Sequence, residues 1–176
     1  GSGTIPAYPS APARRAQYQD TSLADSLSLA AQLIRSEAKP RVVYVNGFGD
    51  FDTHQGEAQR HPALMQQLDD GIDALFTGLG DAADSVTLIT VSEFGRRPSE
   101  NGSGTDHGTA NAHLVVGPKV AGGRYGEPPS LTALDETANL VHTVDFRRLY
   151  ATALDWLGVE AAPVLGDDFK PFDAFQ

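Results

Sequence analysis

Three short runs of β-branched and aliphatic residues alternate along this chain with longer segments in which apolar residues recur every three or four positions. The runs cover residues 41–45, 86–91 and 113–117, and each is almost entirely apolar, as expected of strands buried on both faces of a sheet. Alternation of such strands with helices predicts an α/β fold with a mostly parallel sheet flanked by helices.

The helical segments are recognised by apolar stripes and by residues typical of helix ends. The first, for which Thr21 and Ser22 are candidate N-caps, carries the stripe Leu23, Leu27, Ala30, Ala31, Leu33 and Ile34. The second covers about residues 60–79, where Leu64, Leu68, Ile72, Leu75, Phe76 and Leu79 recur at helical spacing. The third is expected at residues 145–157, after the candidate cap Thr143 and before Gly158.

The domain boundaries follow from composition. Residues 1–20 are rich in proline and lack an apolar period, so we expect an extended N-terminal arm whose first three residues resemble a cloning remnant. Residues 21–176 are expected to form a single α/β domain, because a chain of 176 residues is long enough for one sizeable core.

The charge and cysteine content exclude several classes of function. The net charge is −10, which argues against nucleic acid or an anionic membrane as a partner, since both require clustered basic residues. A small anionic substrate remains compatible with this charge, because a bound divalent cation reverses the local field. The chain has no cysteine, so disulfides, thiolate metal sites and cysteine nucleophiles are excluded. It also lacks an apolar run near the ~20 residues of a membrane span.

Polar motifs at or beyond the ends of the predicted strands supply candidate metal ligands. Asp52 and His54 are two positions apart in residues that follow a strand, so extended backbone points both to one side. Glu93 follows the next strand, and Asp106 and His107 lie in a glycine-rich loop. Carboxylates and imidazoles gathered at strand ends indicate a site for a divalent metal, zinc or manganese. The alternatives are a turn aspartate with a loop histidine, a surface ion pair of Glu93, and a flexible polar turn.

Two arginines and three further histidines complete the polar candidates. Arg96 and Arg97 could hold a phosphate or sulfate group, or could pair with Glu93. We expect Arg96 to bind the anion and to stabilise its developing charge, and Arg97 to be a pairing residue. His61, His113 and His142 have no carboxylate at ligand spacing and are interpreted as structural or solvated.

In this order, the motifs at residues 49–54, 92–96, 104–108 and 143–147 resemble a bacterial family, the domain-of-unknown-function 1501 family. Its members are sulfatase-like, belong to the alkaline-phosphatase-like superfamily and are typically exported by the twin-arginine route. The resemblance implies a two-metal centre that cleaves phosphate or sulfate esters, and a periplasmic or extracellular location.

The same resemblance assigns roles to individual residues. It implies that Asp52, His54 and His107 hold the first metal and that Glu93 holds the second. Two departures from the superfamily pattern stand against catalysis. Phe94 replaces a metal-binding histidine, and no strand with a nucleophile precedes residue 41.

These departures leave a second hypothesis open, namely a non-catalytic remnant of the same fold that binds a carbohydrate or a protein. They also suggest that the chain is the C-terminal part of a longer protein. An exposed sheet edge would then favour self-association or pairing with a missing N-terminal segment.

Overall fold

The computed structural model describes residues 22–46 and 49–176, and the arm predicted over residues 1–20 lies outside these ranges. The chain forms two compact units. The described residues of the first unit are those up to Phe51 together with Pro62–Gly80. The second unit contains Asp52–His61 and Asp81–Gln176. None of the described helices is both long and apolar enough to cross a membrane.

The first unit is built on helix α1 (Leu23–Arg35) and on the part of helix α2 (Glu57–Leu79) that follows His61. The apolar stripes are confirmed for most positions: Leu23, Leu27, Ala30, Ala31, Leu64, Leu75 and Leu79 are buried. Glycines bring the two helices close together. A Cβ atom on Gly71 would lie 2.7 Å from Leu23 Cγ, and Arg35 donates a hydrogen bond of 3.0 Å to the carbonyl of Gly78.

The start of α1 is fixed by a capping box. The hydroxyl of Ser22 accepts a hydrogen bond of 3.1 Å from the backbone N–H of Asp25, and the Asp25 carboxylate accepts one of 3.3 Å from the backbone N–H of Ser22. Two N–H groups that the first turn of the helix leaves without partners are thereby satisfied.

Replacing Ser22 with alanine is expected to lower the free energy of unfolding by about 0.5–2 kcal/mol, because one of these N–H groups loses its acceptor. Urea denaturation followed by circular dichroism measures the change. Ser28→Ala is the matched control, since Ser28 lies inside α1, away from the cap. Equal stability of the Ser22→Ala and Ser28→Ala variants would show that the box contributes nothing.

The prediction of a buried strand at residues 41–45 is wrong. This run forms no strand with any described residue, and Val42 and Tyr44 are 69% and 74% exposed. A strand exists only where a second strand satisfies its backbone N–H and C=O groups, and a β-branched composition does not provide that second strand.

The second unit corrects the predicted sheet. Strand β1 (Leu88–Ile89) pairs with strand β4 (Val115–Val116), and strand β2 (Gly95–Glu100) pairs with strand β3 (Thr105–Gly108). Both pairs are antiparallel, so the mostly parallel sheet of the expected α/β fold is absent from residues 22–46 and 49–176. The runs at residues 86–91 and 113–117 are confirmed as partly strand-forming, but they pair with each other over only two residues each.

The reason for the antiparallel arrangement lies in what connects β1 to β4. A parallel pair needs a crossover connection, usually a helix, whereas an antiparallel pair needs only a route back. Here the route back contains the β2–β3 hairpin and no helix. A parallel pairing of these two runs therefore has no crossover helix to connect it.

The third predicted helix is confirmed as helix α3 (Arg147–Trp156), but Thr143 does not cap it. Asp145 serves the first turn instead, since its carboxylate accepts a hydrogen bond of 2.9 Å from the backbone N–H of Arg147. The guanidinium of Arg147 also pairs with Asp145, at 2.6 Å, and its hydrogen bonds lower the pKa of Asp145 to about 2.

Helix α3 also anchors the C-terminal segment, which follows the short helix α4 (Ala162–Leu165). The fully buried hydroxyl of Thr152 accepts a hydrogen bond of 2.9 Å from the backbone N–H of Phe172. Further along, the ring of Phe175 packs 4.8 Å from that of Trp156, measured between centroids. The core of this unit therefore depends on the last residues of the chain.

Candidate metal centre

Asp52 and His54 lie in a loop whose middle residue, Thr53, is 1% exposed. The backbone N–H of His54 donates a hydrogen bond of 3.1 Å to the carbonyl of Asp52, which tightens the loop. The side chains of Asp52 and His54 meet as their spacing predicts, with 3.0 Å between His54 Nε2 and Asp52 Oδ1. Burial of Thr53 thus holds the loop in place while its two neighbours reach solvent.

The β2–β3 hairpin supplies the third member of the site. Gly102, with a φ of 76°, lies in the turn, and the register places Arg96 opposite His107. The imidazole Nε2 of His107 lies 2.6 Å from Asp52 Oδ1, and the two imidazole rings are 5.0 Å apart between centroids. Residues more than fifty positions apart in the sequence therefore converge on one carboxylate oxygen.

The hairpin and the loop are joined by backbone contacts. A Cβ atom on Gly104 would lie 2.3 Å from the carbonyl oxygen of Thr53 and 2.4 Å from the carbonyl carbon of His54, so only glycine fits there. The carbonyl of Ser103 accepts a hydrogen bond of 2.8 Å from the N–H of Glu57, and the hydroxyl of Thr105 donates one of 2.9 Å to the Glu57 carboxylate. These contacts fix the distance between His54 and His107.

One oxygen and two nitrogens form the cluster. Ligand atoms of Asp52, His54 and His107 all lie within 4.8 Å of one another. A carboxylate with two imidazoles is a donor set that suits zinc, and three protein ligands leave a coordination position for water or substrate. The three side chains are between 43% and 49% exposed, so a cation and a substrate can both reach them.

The electrostatics of the cluster favour an ionised Asp52. The hydrogen bond from His107 is the main cause that lowers the pKa of Asp52, and the charges of His107, His54 and Arg96 act in the same direction against the opposing effect of burial. A carboxylate must be deprotonated to bind a metal, and the imidazoles must be neutral at the ligating nitrogen. The cluster therefore presents Asp52 as a carboxylate, and His107 releases the proton on Nε2 when a cation binds.

Arg96 borders the cluster. Its guanidinium donates a hydrogen bond of 2.7 Å to the carbonyl of Thr105 and one of 3.3 Å to Asp52 Oδ1, and it lies 4.9 Å from the centroid of the Phe94 ring. The side chain is 20% exposed. Arg97 instead donates to the carbonyls of His107 and Thr137, at 3.3 Å and 2.8 Å. Arg96 is thus the arginine that the structure places at the cluster.

Asp106 contacts the cluster from outside. Its Oδ1 atom lies 3.2 Å from His54 Nδ1, the ring nitrogen that does not face Asp52, and it accepts a hydrogen bond of 2.7 Å from the side-chain amide of Asn101. Asp106 is not one of the three residues whose ligand atoms converge among the described residues. Sequence reasoning missed Asn101, although its position in the turn before Asp106 was a usable signal.

The family follows from a comparison with known proteins. The family model described as "Protein of unknown function (DUF1501)" matches residues 10–170 of the 176. The chain belongs to this family. No curated protein and no solved structure matches it significantly.

In this DUF1501 member, Glu93 lies outside the cluster formed by the described residues. The next residue, Phe94, stacks on His107 with ring centroids 4.1 Å apart and an angle of 4° between the planes. Sequence reasoning identified Phe94 only as a lost ligand and missed this contact. The phenyl ring instead supports a histidine that belongs to the cluster.

The remaining histidines take no part in the cluster of described residues, which contains only His54 and His107 among the imidazoles. His113 is half-buried, and burial lowers its pKa. His61 and His142 are exposed. Their interpretation as structural or solvated side chains stays a prediction.

Proposed function

We propose that this chain binds one divalent cation, for which zinc is the best match and manganese the second, through Asp52, His54 and His107. The observation that carries the proposal is the convergence of three ligand atoms within 4.8 Å from segments far apart in the sequence. Two imidazoles and a carboxylate are harder to explain as a chance surface cluster than a group of acidic residues alone.

We further propose that the site hydrolyses small phosphate or sulfate esters. A cation held there supplies Lewis acidity toward an ester oxygen and toward water. Arg96 lies 3.3 Å from Asp52, so its guanidinium stands beside any group bound at the cluster and can stabilise the charge that develops on the ester. The carbonyl of Thr105 and the ring of Phe94 hold the guanidinium in position before substrate arrives.

A centre with one metal ion is better supported than the two-metal centre that the family resemblance implies. Glu93, the expected ligand of a second ion, is outside the described cluster, and Phe94 packs against His107 where the superfamily pattern has a further ligand. The same two observations favour a second candidate function, in which the chain binds a metal and an anion without turning the anion over.

The experiment uses the full chain, freed of metal by a chelator and then titrated with zinc or manganese. We expect one equivalent of zinc to bind and hydrolysis of p-nitrophenyl phosphate or p-nitrophenyl sulfate to depend on it. Arg96→Met is expected to lower kcat/KM by roughly 10²–10³-fold, as removal of an oxyanion-stabilising donor does. Arg124→Met is the control for loss of one positive charge, because Arg124 is exposed and outside the site.

The possible results separate the two functions. Stoichiometric zinc without turnover of either ester supports the non-catalytic function and rejects the hydrolase. Zinc content below a tenth of an equivalent after titration rejects both. If Arg96→Met and Arg124→Met reduce turnover equally, the proposed role of Arg96 is rejected, whereas the proposed hydrolase activity is not.

A further inference from the structure

We infer that Asp106, held by Asn101, is a positioning residue that makes Nε2 the metal-binding atom of His54. This inference rests on the proposed metal site and changes the role of Asp106 from the direct ligand that its sequence motif suggested. The structure places Asp106 behind His54, on the side of the imidazole that faces away from Asp52.

The two nitrogens of His54 face two different carboxylates. Nε2 lies 3.0 Å from Asp52 Oδ1, and Nδ1 lies 3.2 Å from Asp106 Oδ1. An ionised carboxylate only accepts hydrogen bonds, so without a cation Asp52 and Asp106 compete for the single proton of a neutral imidazole. A cation that takes the lone pair of Nε2 leaves the proton on Nδ1, where the carboxylate of Asp106 accepts it.

Strand geometry explains why Asp106 and His107 take different roles. Successive side chains of a strand point to opposite faces, and Asp106 and His107 are neighbours in β3. His107 reaches Asp52 from one face at 2.6 Å. The Oδ1 atom of Asp106 lies 3.2 Å from the other nitrogen of His54. Two adjacent strand residues are poorly placed to ligate the same ion, but well placed to hold a ligand histidine between them.

Asn101 fixes the carboxylate of Asp106. Its side-chain amide donates a hydrogen bond of 2.7 Å to the same Oδ1 atom that faces His54. The backbone of Asn101 is itself held in the turn, since its N–H donates a hydrogen bond of 2.7 Å to the carbonyl of Gly104. The chain Asn101, Asp106, His54 therefore links the turn of the hairpin to the cluster through defined contacts.

Metal-binding histidines in proteins are commonly oriented in this way by a carboxylate, and loss of that partner typically weakens metal binding by roughly 10–100-fold. We expect Asp106→Ala to weaken zinc binding within this range and Asn101→Ala to weaken it less, because Asn101 acts through Asp106. Competition of the full chain with a chromophoric zinc chelator measures both. Asp173→Ala is the control for loss of an exposed carboxylate far along the chain.

Nitrogen-15 NMR of the metal-free protein shows which ring nitrogen of His54 carries the proton. A general loss of stability does not change this property of the folded protein. In the wild-type chain we expect the neutral His54 ring to share its proton between Nδ1 and Nε2, because each nitrogen faces a carboxylate, and in Asp106→Ala we expect the proton to move to Nε2, where Asp52 is the remaining acceptor. Asp106→Asn keeps an acceptor of similar shape and is expected to restore part of the Nδ1-protonated form. Circular dichroism confirms that each variant is folded.

The possible results distinguish a positioning role of Asp106 from a direct-ligand role and from no role at the site. Unchanged zinc affinity and an unchanged His54 tautomer in Asp106→Ala overturn the positioning role while leaving the metal site intact. A loss of zinc affinity well beyond 100-fold, with one ligand fewer by X-ray absorption at saturating zinc, makes Asp106 a direct ligand and also overturns the positioning role. Failure of the wild-type chain to bind zinc rejects the proposed function, and the tautomer measurement then tests the Asp106 contact by itself.

Discussion

Asp52→Ala is expected to abolish stoichiometric zinc binding, which is the largest effect that we expect from any substitution at the site. One oxygen of Asp52 lies 2.6 Å from His107 Nε2, 3.0 Å from His54 Nε2 and 3.3 Å from the Arg96 guanidinium. Its removal leaves two imidazoles and a guanidinium without the negative charge that gathers them. The loss of zinc affinity should exceed the roughly 10–100-fold loss that is typical when a residue that orients a metal ligand is removed.

Isothermal titration of the metal-free chain with zinc measures this loss, and thermal unfolding gives an independent reading. A ligand that binds only the folded state raises the melting temperature as its concentration exceeds Kd. Zinc should therefore raise the melting temperature of the wild-type chain and of the Asp173→Ala control, but not that of Asp52→Ala. If the zinc affinity of Asp52→Ala is within threefold of that of the wild type, the ion is bound by other residues.

The second large effect is expected for Gly104→Ala, which should lower both the melting temperature and the zinc affinity. The new Cβ atom would meet the carbonyl oxygen of Thr53 at 2.3 Å and the carbonyl carbon of His54 at 2.4 Å. Both are backbone atoms, so no side-chain rotation relieves the clash and the hairpin must move away from the loop. Forced insertions of this kind typically cost about 1–3 kcal/mol, and more where the backbone cannot yield.

Gly122→Ala is the matched control for Gly104→Ala. A Cβ atom on Gly122 would meet no atom within 4 Å, and its backbone has no positive φ. Differential scanning calorimetry of the metal-free variants should show a melting temperature several degrees lower for Gly104→Ala alone, since about 1 kcal/mol corresponds to roughly 2–4 °C for a chain of this size. Identical melting temperatures for the two variants would mean that the hairpin does not rest on the loop as described.

The helices were accessible from sequence because their signals are local. The stripe and the candidate caps of α1 lie within one segment. The structure buries four of the six stripe residues and confirms Ser22, one of the two candidate caps. Helix α3 was also found, although its first turn is served by Asp145 instead of Thr143. Choosing between two polar residues that are two positions apart requires backbone angles, which periodicity does not contain.

The prediction of a parallel sheet was wrong because strand pairing has no local signal. Apolar β-branched runs indicate strand-forming segments but carry no information on which segment pairs with which. The runs around Leu88 and Val115 pair with each other in antiparallel register, whereas the run containing Val42 and Tyr44 pairs with no strand among the described residues. Strand pairing is a contact between distant segments, and its direction depends on the connection between them.

The candidate metal site also combines features that were accessible from sequence with features that were not. The sequence by itself indicated the donor atoms, since Asp52, His54 and His107 were among the candidate ligands and are the three that converge. It expected His107 in a loop, whereas the structure places it in strand β3. Only the tertiary structure decided the roles: His107 beside Asp52, Asp106 behind His54, Phe94 stacked on His107, and Glu93 outside the described cluster. The physical reason is that residue type sets which atoms can bind a cation, whereas convergence on one point depends on how a hairpin packs against a loop some fifty residues away.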